Sequence, residues 1–275
     1  MRNKLICLIF IGVVAFMSVK LQAGSVKGRV IEGPQTGTVE LYAFKDFFSW
    51  KTYQISQAEI RNGSFVWTTN ISKTSLFRIK LRGKSFDLYL EPDGDYLVEL
   101  RPNGLTVLQE PPGQLNARIQ KFEAALKSIQ PNSASRDSQL QEVHRLRNQL
   151  KVEPNRFVKN YGFIKLLQRE NLIYALNGPV RTGEQLLAIK NNLIQPYLEG
   201  LNLNNPATTI LLDQLGTNLL AQSEKPSADC WKDPVCFLPY NLKIADQVED
   251  PLIRDLLKIR MIQQGNNTKA KRDPS

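Results

Sequence analysis

Between Gly24 and Pro102 apolar and polar positions alternate in short runs, whereas beyond Pro111-Pro112 they recur at steps of three and four. A period of two marks half-buried strands and a period near 3.6 marks amphipathic helices. In the first stretch "SVKGRVIEG" reads as a strand, "GPQTG" as a turn and "TVELYAF" as the returning strand. "AEIRNGSFVW" carries the clearest local signal. Asn62-Gly63 supplies the two residues that tolerate positive φ in a type I′ turn, set between two β-prone runs. "SLFRIKLRG" alternates Leu76, Ile79 and Leu81 with basic residues. "SFDLYLEPDGDYLVELRP" is expected to form a hairpin through Pro92-Asp93-Gly94, with Tyr96, Val98 and Leu100 on one face. Short strands at this spacing predict a small antiparallel β-sandwich over residues 24–105, with a partly open barrel as the alternative.

In the second stretch Leu115, Ile119, Phe122, Leu126 and Ile129 share one helix face, as do Leu140, Val143, Leu146 and Leu150. A third helix is expected from about Asn155 to Ile173. Thr182 opens a capping box with Gln185, and Leu186, Ile189, Leu193 and Tyr197 follow on one stripe. Asn205-Pro206 and Asp250-Pro251 each set a capping side chain before a proline suited to the first helical position. The fold class predicted is therefore α+β, a β-sandwich followed by an α-helical region of about six helices over residues 113–264. "GNNTKAKRDPS", residues 265–275, reads as a flexible tail.

The first 23 residues follow a different rule. Arg2 and Lys4 precede the apolar run "LICLIFIGVVAFM", and Ala23 stands at a plausible cleavage position. That is the layout of a secretory signal peptide, and it predicts a periplasmic or otherwise exported protein with no membrane span in the mature chain. Removing it takes away Arg2, Lys4 and Lys20, so the net charge of +10 falls to +7. Basic and acidic residues are interspersed in both halves, which is not the clustered stripe of a nucleic-acid footprint. Nucleic acid is not expected as a partner.

The stretches "VKGRV", "TVELYAF", "QAEIRNGSFVW" and "FDLYLEPDGDYLVEL" resemble the N-terminal β module of exported thioredoxin-like (TlpA-type) proteins of Bacteroidota. "FVKNYGFIKLL" and "PLIRDLLKIR" are similar, more loosely, to the helical region of that family. The resemblance implies a signal peptide, a β module of unknown function and a helical region. The thioredoxin domain that would follow, with its Trp-Cys-x-x-Cys motif, is absent from this sequence, so no catalytic residue carries over.

Candidate chemistry is sparse. Cys7 lies in the leader, leaving Cys230 and Cys236 as an even pair in "DCWKDPVCF". In an oxidising compartment such a pair forms a disulfide, and closing the short loop contributes roughly 2–2.5 kcal/mol. A redox-active pair is the alternative. Lys232 and Trp231 favour it, whereas Pro234 and the spacing argue against the helix N-terminus that such pairs use. One histidine, His144, rules out multi-histidine metal centres, and two thiolates alone fill half a zinc shell. "GKS" at Gly83 lacks the upstream glycine of a phosphate loop, and "DGD" at Asp93 lacks the ligands of a calcium loop. No metal and no cofactor is expected. "FKDFFSWKTY" brings together Phe44, Phe47, Phe48, Trp50 and Tyr53. These form either an exposed partner-binding patch or packing at the end of the β unit. The sequence thus predicts a non-catalytic binding or envelope accessory protein with a protein or glycan partner. Thiol–disulfide exchange through Cys230 and Cys236 is the alternative.

Overall fold

A computed structural model describes residues 24–129, 135–177, 181–199, 201–224, 230 and 233–272. The leader with its cleavage position at Ala23 lies outside the described residues, as do Asp229, Trp231 and Lys232.

Eight strands form one sheet: β1 (Gly24–Val30), β2 (Thr36–Phe44), β3 (Thr52–Arg61), β4 (Ser64–Thr69), β5 (Ser75–Leu81), β6 (Lys84–Leu90), β7 (Asp95–Arg101) and β8 (Gly104–Gln109). Their order is β6-β5-β2-β3-β4-β1-β7-β8, and the sheet curls until its two ends, β6 and β8, approach each other. This near-closed barrel corrects the predicted β-sandwich. Two connections carry the difference. β1 and β2 were expected to pair as a hairpin, yet β1 lies between β4 and β7, parallel to the latter. β6 and β7 were expected to pair through the Pro92-Asp93-Gly94 turn, yet they lie near opposite ends of the strand order. Alternation shows which face of a strand is buried but not which strand lies beside it, so two correct strand readings were joined wrongly.

The hairpins that do form follow turn chemistry. Asn62 and Gly63 both have positive φ between β3 and β4, and Arg82 and Gly83 repeat the device between β5 and β6. β3 and β4 then part company, since their pairing is confined to Arg61 and Ser64. Inside the barrel Val26, Leu41, Ile79, Leu88 and Val98 are fully buried. Gly28 on β1 stands opposite Phe65 on β4, whose ring occupies the space a Cβ on Gly28 would need.

The helices are α1 (Leu115–Ser128), α2 (Arg136–Lys151), α3 (Arg156–Asn177), α4 (Gly183–Ile189), α5 (Gln195–Leu198), α6 (Thr208–Gln222), α7 (Pro234–Ala245) and α8 (Pro251–Arg272), with a π-helical turn at Lys190–Ile194 between α4 and α5. The Thr182–Gln185 capping box is present in both directions. At the Asp250-Pro251 junction, Asp250 Oδ1 accepts from the Ile253 amide. At Asn205-Pro206 the helix starts later, at Thr208, because the Asn205 carboxamide oxygen accepts from the Ala207 amide in a local turn. α8 runs on to Arg272, through most of the stretch read as a tail. Among the described residues no helix is long and apolar enough to cross a membrane.

The helices bury their own core, separate from the barrel core. The two are joined at β6 and at the β2–β3 connection. Tyr89 sets its ring against Phe157 and Tyr161 of α3, and Phe48 packs on the helical core.

Candidate functional site

Cys230 and Cys236 are joined by a disulfide. Their surroundings differ. Cys230 sits in a turn and is only 5% exposed, whereas Cys236 is exposed in the first turn of α7. Pro234 is the first residue of that helix, the position where its fixed φ and missing N–H cost nothing. The backbone carbonyl of Asp233 accepts from the Cys236 and Phe237 amides and so begins the helical ladder. The expectation that Pro234 would keep a helix N-terminus away from the pair is therefore overturned. The available signal was Asp233-Pro234, the same dipeptide that marks the start of α8 at Asp250-Pro251.

This arrangement has chemical consequences. The helix dipole favours negative charge at the N-terminus, so a thiolate on Cys236 would be stabilised there. Helix N-termini are among the settings that make cysteines reactive. Exchange needs an accessible sulfur for attack, and of the two residues Cys236 is the one open to solvent. α7 is anchored near this point by the Tyr240 hydroxyl, which donates to the Glu224 carbonyl.

The aromatic segment divides. Asp46 holds the turn after β2: its Oδ1 accepts from the Phe48 and Ser49 amides and its Oδ2 from the Ser49 hydroxyl. These hydrogen bonds hold its carboxyl below the usual range against the opposing effect of partial burial. Phe47 is buried, and Phe48 turns toward the helical core. Phe44 lies in the strand with Arg78 over its ring. Trp50 stands at φ 55°, an unusual conformation for a bulky residue, and meets Phe44 and Phe47 edge-on. It is 45% exposed, and Tyr53 on β3 is 47% exposed. The segment is thus neither one exposed patch nor wholly packing: Trp50 and Tyr53 face solvent, and Trp50 rests against Phe44 and Phe47.

His144 is exposed on α2. Among the described residues no three His, Cys, Asp or Glu side chains are grouped as a metal would require. A cleft beside the β6–β7 connection is lined by Glu91, Asp93, Asp95 and Glu110. Burial raises the Glu91 carboxyl and the nearby Glu110 adds to it, opposed by a hydrogen bond from Asn155.

Comparisons with protein-family models, with curated proteins and with solved structures find no match for this chain. The resemblance to thioredoxin-like proteins of Bacteroidota accordingly has no support beyond the strand and turn stretches that prompted it. The near-closed eight-stranded barrel is also unlike the open sheet of thioredoxin-like folds.

Proposed function

We propose that this chain is a thiol–disulfide exchange protein that works through Cys230 and Cys236. The observation that carries the reading is the inequality of the pair, with Cys236 exposed in the first turn of α7 and Cys230 buried behind it. In the oxidising direction a partner thiolate attacks the Cys236 sulfur. The Cys230–Cys236 bond breaks, a mixed disulfide forms with Cys236, and Cys230 leaves with the electron pair and takes up a proton. A second thiol of the partner then attacks its own sulfur in the mixed disulfide and releases Cys236 as a thiolate at the helix N-terminus. The partner gains a disulfide and this chain is left as the dithiol, to be reoxidised by another disulfide. Stabilising the released thiolate stabilises the reduced protein, and a stabilised reduced form makes an oxidising pair. Such chemistry belongs to an oxidising compartment, which the leader-like first 23 residues would supply.

The test is to replace Cys230 by serine and expose the variant to a protein carrying an accessible disulfide. Exchange predicts a mixed disulfide at Cys236, formed many times faster than with the Cys236→Ser variant. Equal and slow trapping by the two variants would contradict it. An accessory role by binding alone has the exposed Trp50 and Tyr53, at the start of β3, in its support.

A further inference from the structure

We propose that the free edge of β3 is a self-association surface that pairs with β3 of a second copy of this chain. β3 pairs with β2 along its whole length, but on its other side it meets β4 only at Arg61 and Ser64. Among the described residues no strand pairs with that edge from Thr52 to Ile60. An unpaired edge is a template for another strand, and proteins guard such edges with charge, proline or a bulge. "TYQISQA", Thr52 to Ala58, contains no charged residue, no proline and no glycine. Most of its side chains are exposed, Tyr53 and Ile55 among them, and Trp50 stands exposed at its head.

Within Thr52–Ala58 the guard is a bulge, and it selects the occupant. Leu41 pairs with Ser56 and Tyr42 with Gln54, so Ile55 is the extra residue. The two-residue turn at Asn62-Gly63 makes Arg61 and Ser64 a hydrogen-bonded pair, which aims the Arg61 backbone groups toward the β4 side. Alternation then aims Glu59 and Gln57 to the same side. The extra residue shifts the alternation by one, so beyond it Gln54 and Thr52 point outward. A regular strand cannot follow that edge past Ile55. An antiparallel copy of β3, bulged at the same place, can. With the two-fold axis between Ile55 and Ser56, Thr52 falls opposite the partner's Glu59 and Gln54 opposite the partner's Gln57. Both pairs join outward-pointing residues, so the ladder continues on both sides of the bulge. The Gln54 and Gln57 carboxamides, which bond to each other within one chain, can instead bond across the axis. No like charges are opposed. The inference is independent of the chemistry at Cys236, which lies on α7.

Sedimentation equilibrium on the chain as purified tests it, with Gln54→Lys/Gln57→Lys as the disrupting variant and Val152→Lys as the control. Val152 is 81% exposed and lies beyond α2, away from the sheet. The double substitution sets ammonium groups against each other across the axis without touching the core, and an unchanged thermal melt shows that the fold survives. The expected result is a reversible dimer in the wild type and the control, with dissociation at least tenfold easier in the double variant. A wild type that stays monomeric up to about 200 µM, a concentration where even weak micromolar pairing would show, overturns the proposal. So does a dimer that both variants, or neither, weaken.

Discussion

Asn116 of α1 treats Tyr89 of β6 as a neighbouring strand would. Its Nδ2 donates to the Tyr89 carbonyl and its Oδ1 accepts from the Tyr89 amide, each at 2.9 Å. One side chain thereby closes part of the β6 edge, and α1 is fixed to the barrel by the same two bonds. Glu110 supports the clamp by accepting from the Asn116 and Ala117 amides and from Asn116 Nδ2. Among the described residues no side chain closes the far edge of β3 in this way.

Replacing Asn116 by alanine removes both bonds and leaves the Tyr89 backbone groups without partners. Each unsatisfied buried group costs about 1–3 kcal/mol, so the loss of two in a urea titration should be about 2–6 kcal/mol. Asn116→Asp should be no better, because it cannot donate and faces Glu110. A loss below about 0.5 kcal/mol would mean that the clamp contributes little beyond local order.

Gly28→Ala should be among the most damaging single-atom changes in the barrel. A Cβ there would lie 1.9 Å from the nearest atom of the Phe65 ring, so either the ring or β1 has to move. Overpacking of this kind typically costs about 1–3 kcal/mol, sometimes more. Because Gly28 is in a strand, no turn conformation complicates the comparison. Phe65→Leu on the Gly28→Ala background should restore part of the loss, and failure to do so would place the strain elsewhere.

Glu91 gives the pH prediction. Burial, with the nearby Glu110 adding to it, raises its carboxyl above the ordinary range of a glutamate in the folded protein. A carboxyl raised on folding favours the protonated native state, so the unfolded chain loses its proton first as pH rises. That contribution to stability is full below the unfolded value and lost as pH climbs through the higher folded value. Glu91→Gln keeps an acceptor for Asn155 and removes the buried charge. It should raise the melting temperature at pH 7, with an advantage that shrinks as pH falls toward 4. A constant advantage at all pH values would contradict the assignment.

Because a thiolate at the start of α7 stabilises the reduced fold, reducing the disulfide should destabilise the chain by less than the roughly 2 kcal/mol that closing a loop this short contributes. Cys236→Ser, which has no thiolate to be stabilised, should show the whole of that loss without reductant. A much larger effect would give the bond a structural role greater than its loop length explains.

The sequence allowed each element to be read where its signal is local. Asn62-Gly63, the Thr182 capping box and the 3.6 period through Leu115 and Ile119 all act within a few residues of themselves. The neighbours of β1 were not legible, since its partners lie forty and seventy residues away and its own alternation is the same whichever strand adjoins it. β8 was missed beyond Leu105 because it is half exposed and carries little apolar pattern. At the candidate site the pairing of Cys230 with Cys236 followed from counting. The helix N-terminus did not, because Pro234 and the spacing of the cysteines argue against one, whereas a proline preceded by Asp233 starts a helix. The unequal burial of the two cysteines depends on packing outside the loop and has no local signal.

The most direct test of the account is the reduction potential of the Cys230–Cys236 pair, measured by equilibrating the purified chain against graded thiol buffers and counting the thiols released. An exchange-active pair with its released thiolate held at the start of α7 predicts a value near about −200 mV, reached rapidly. A value below about −300 mV, the range of structural disulfides in secreted proteins, would contradict it and leave the bond as a fastening for the loop before α7.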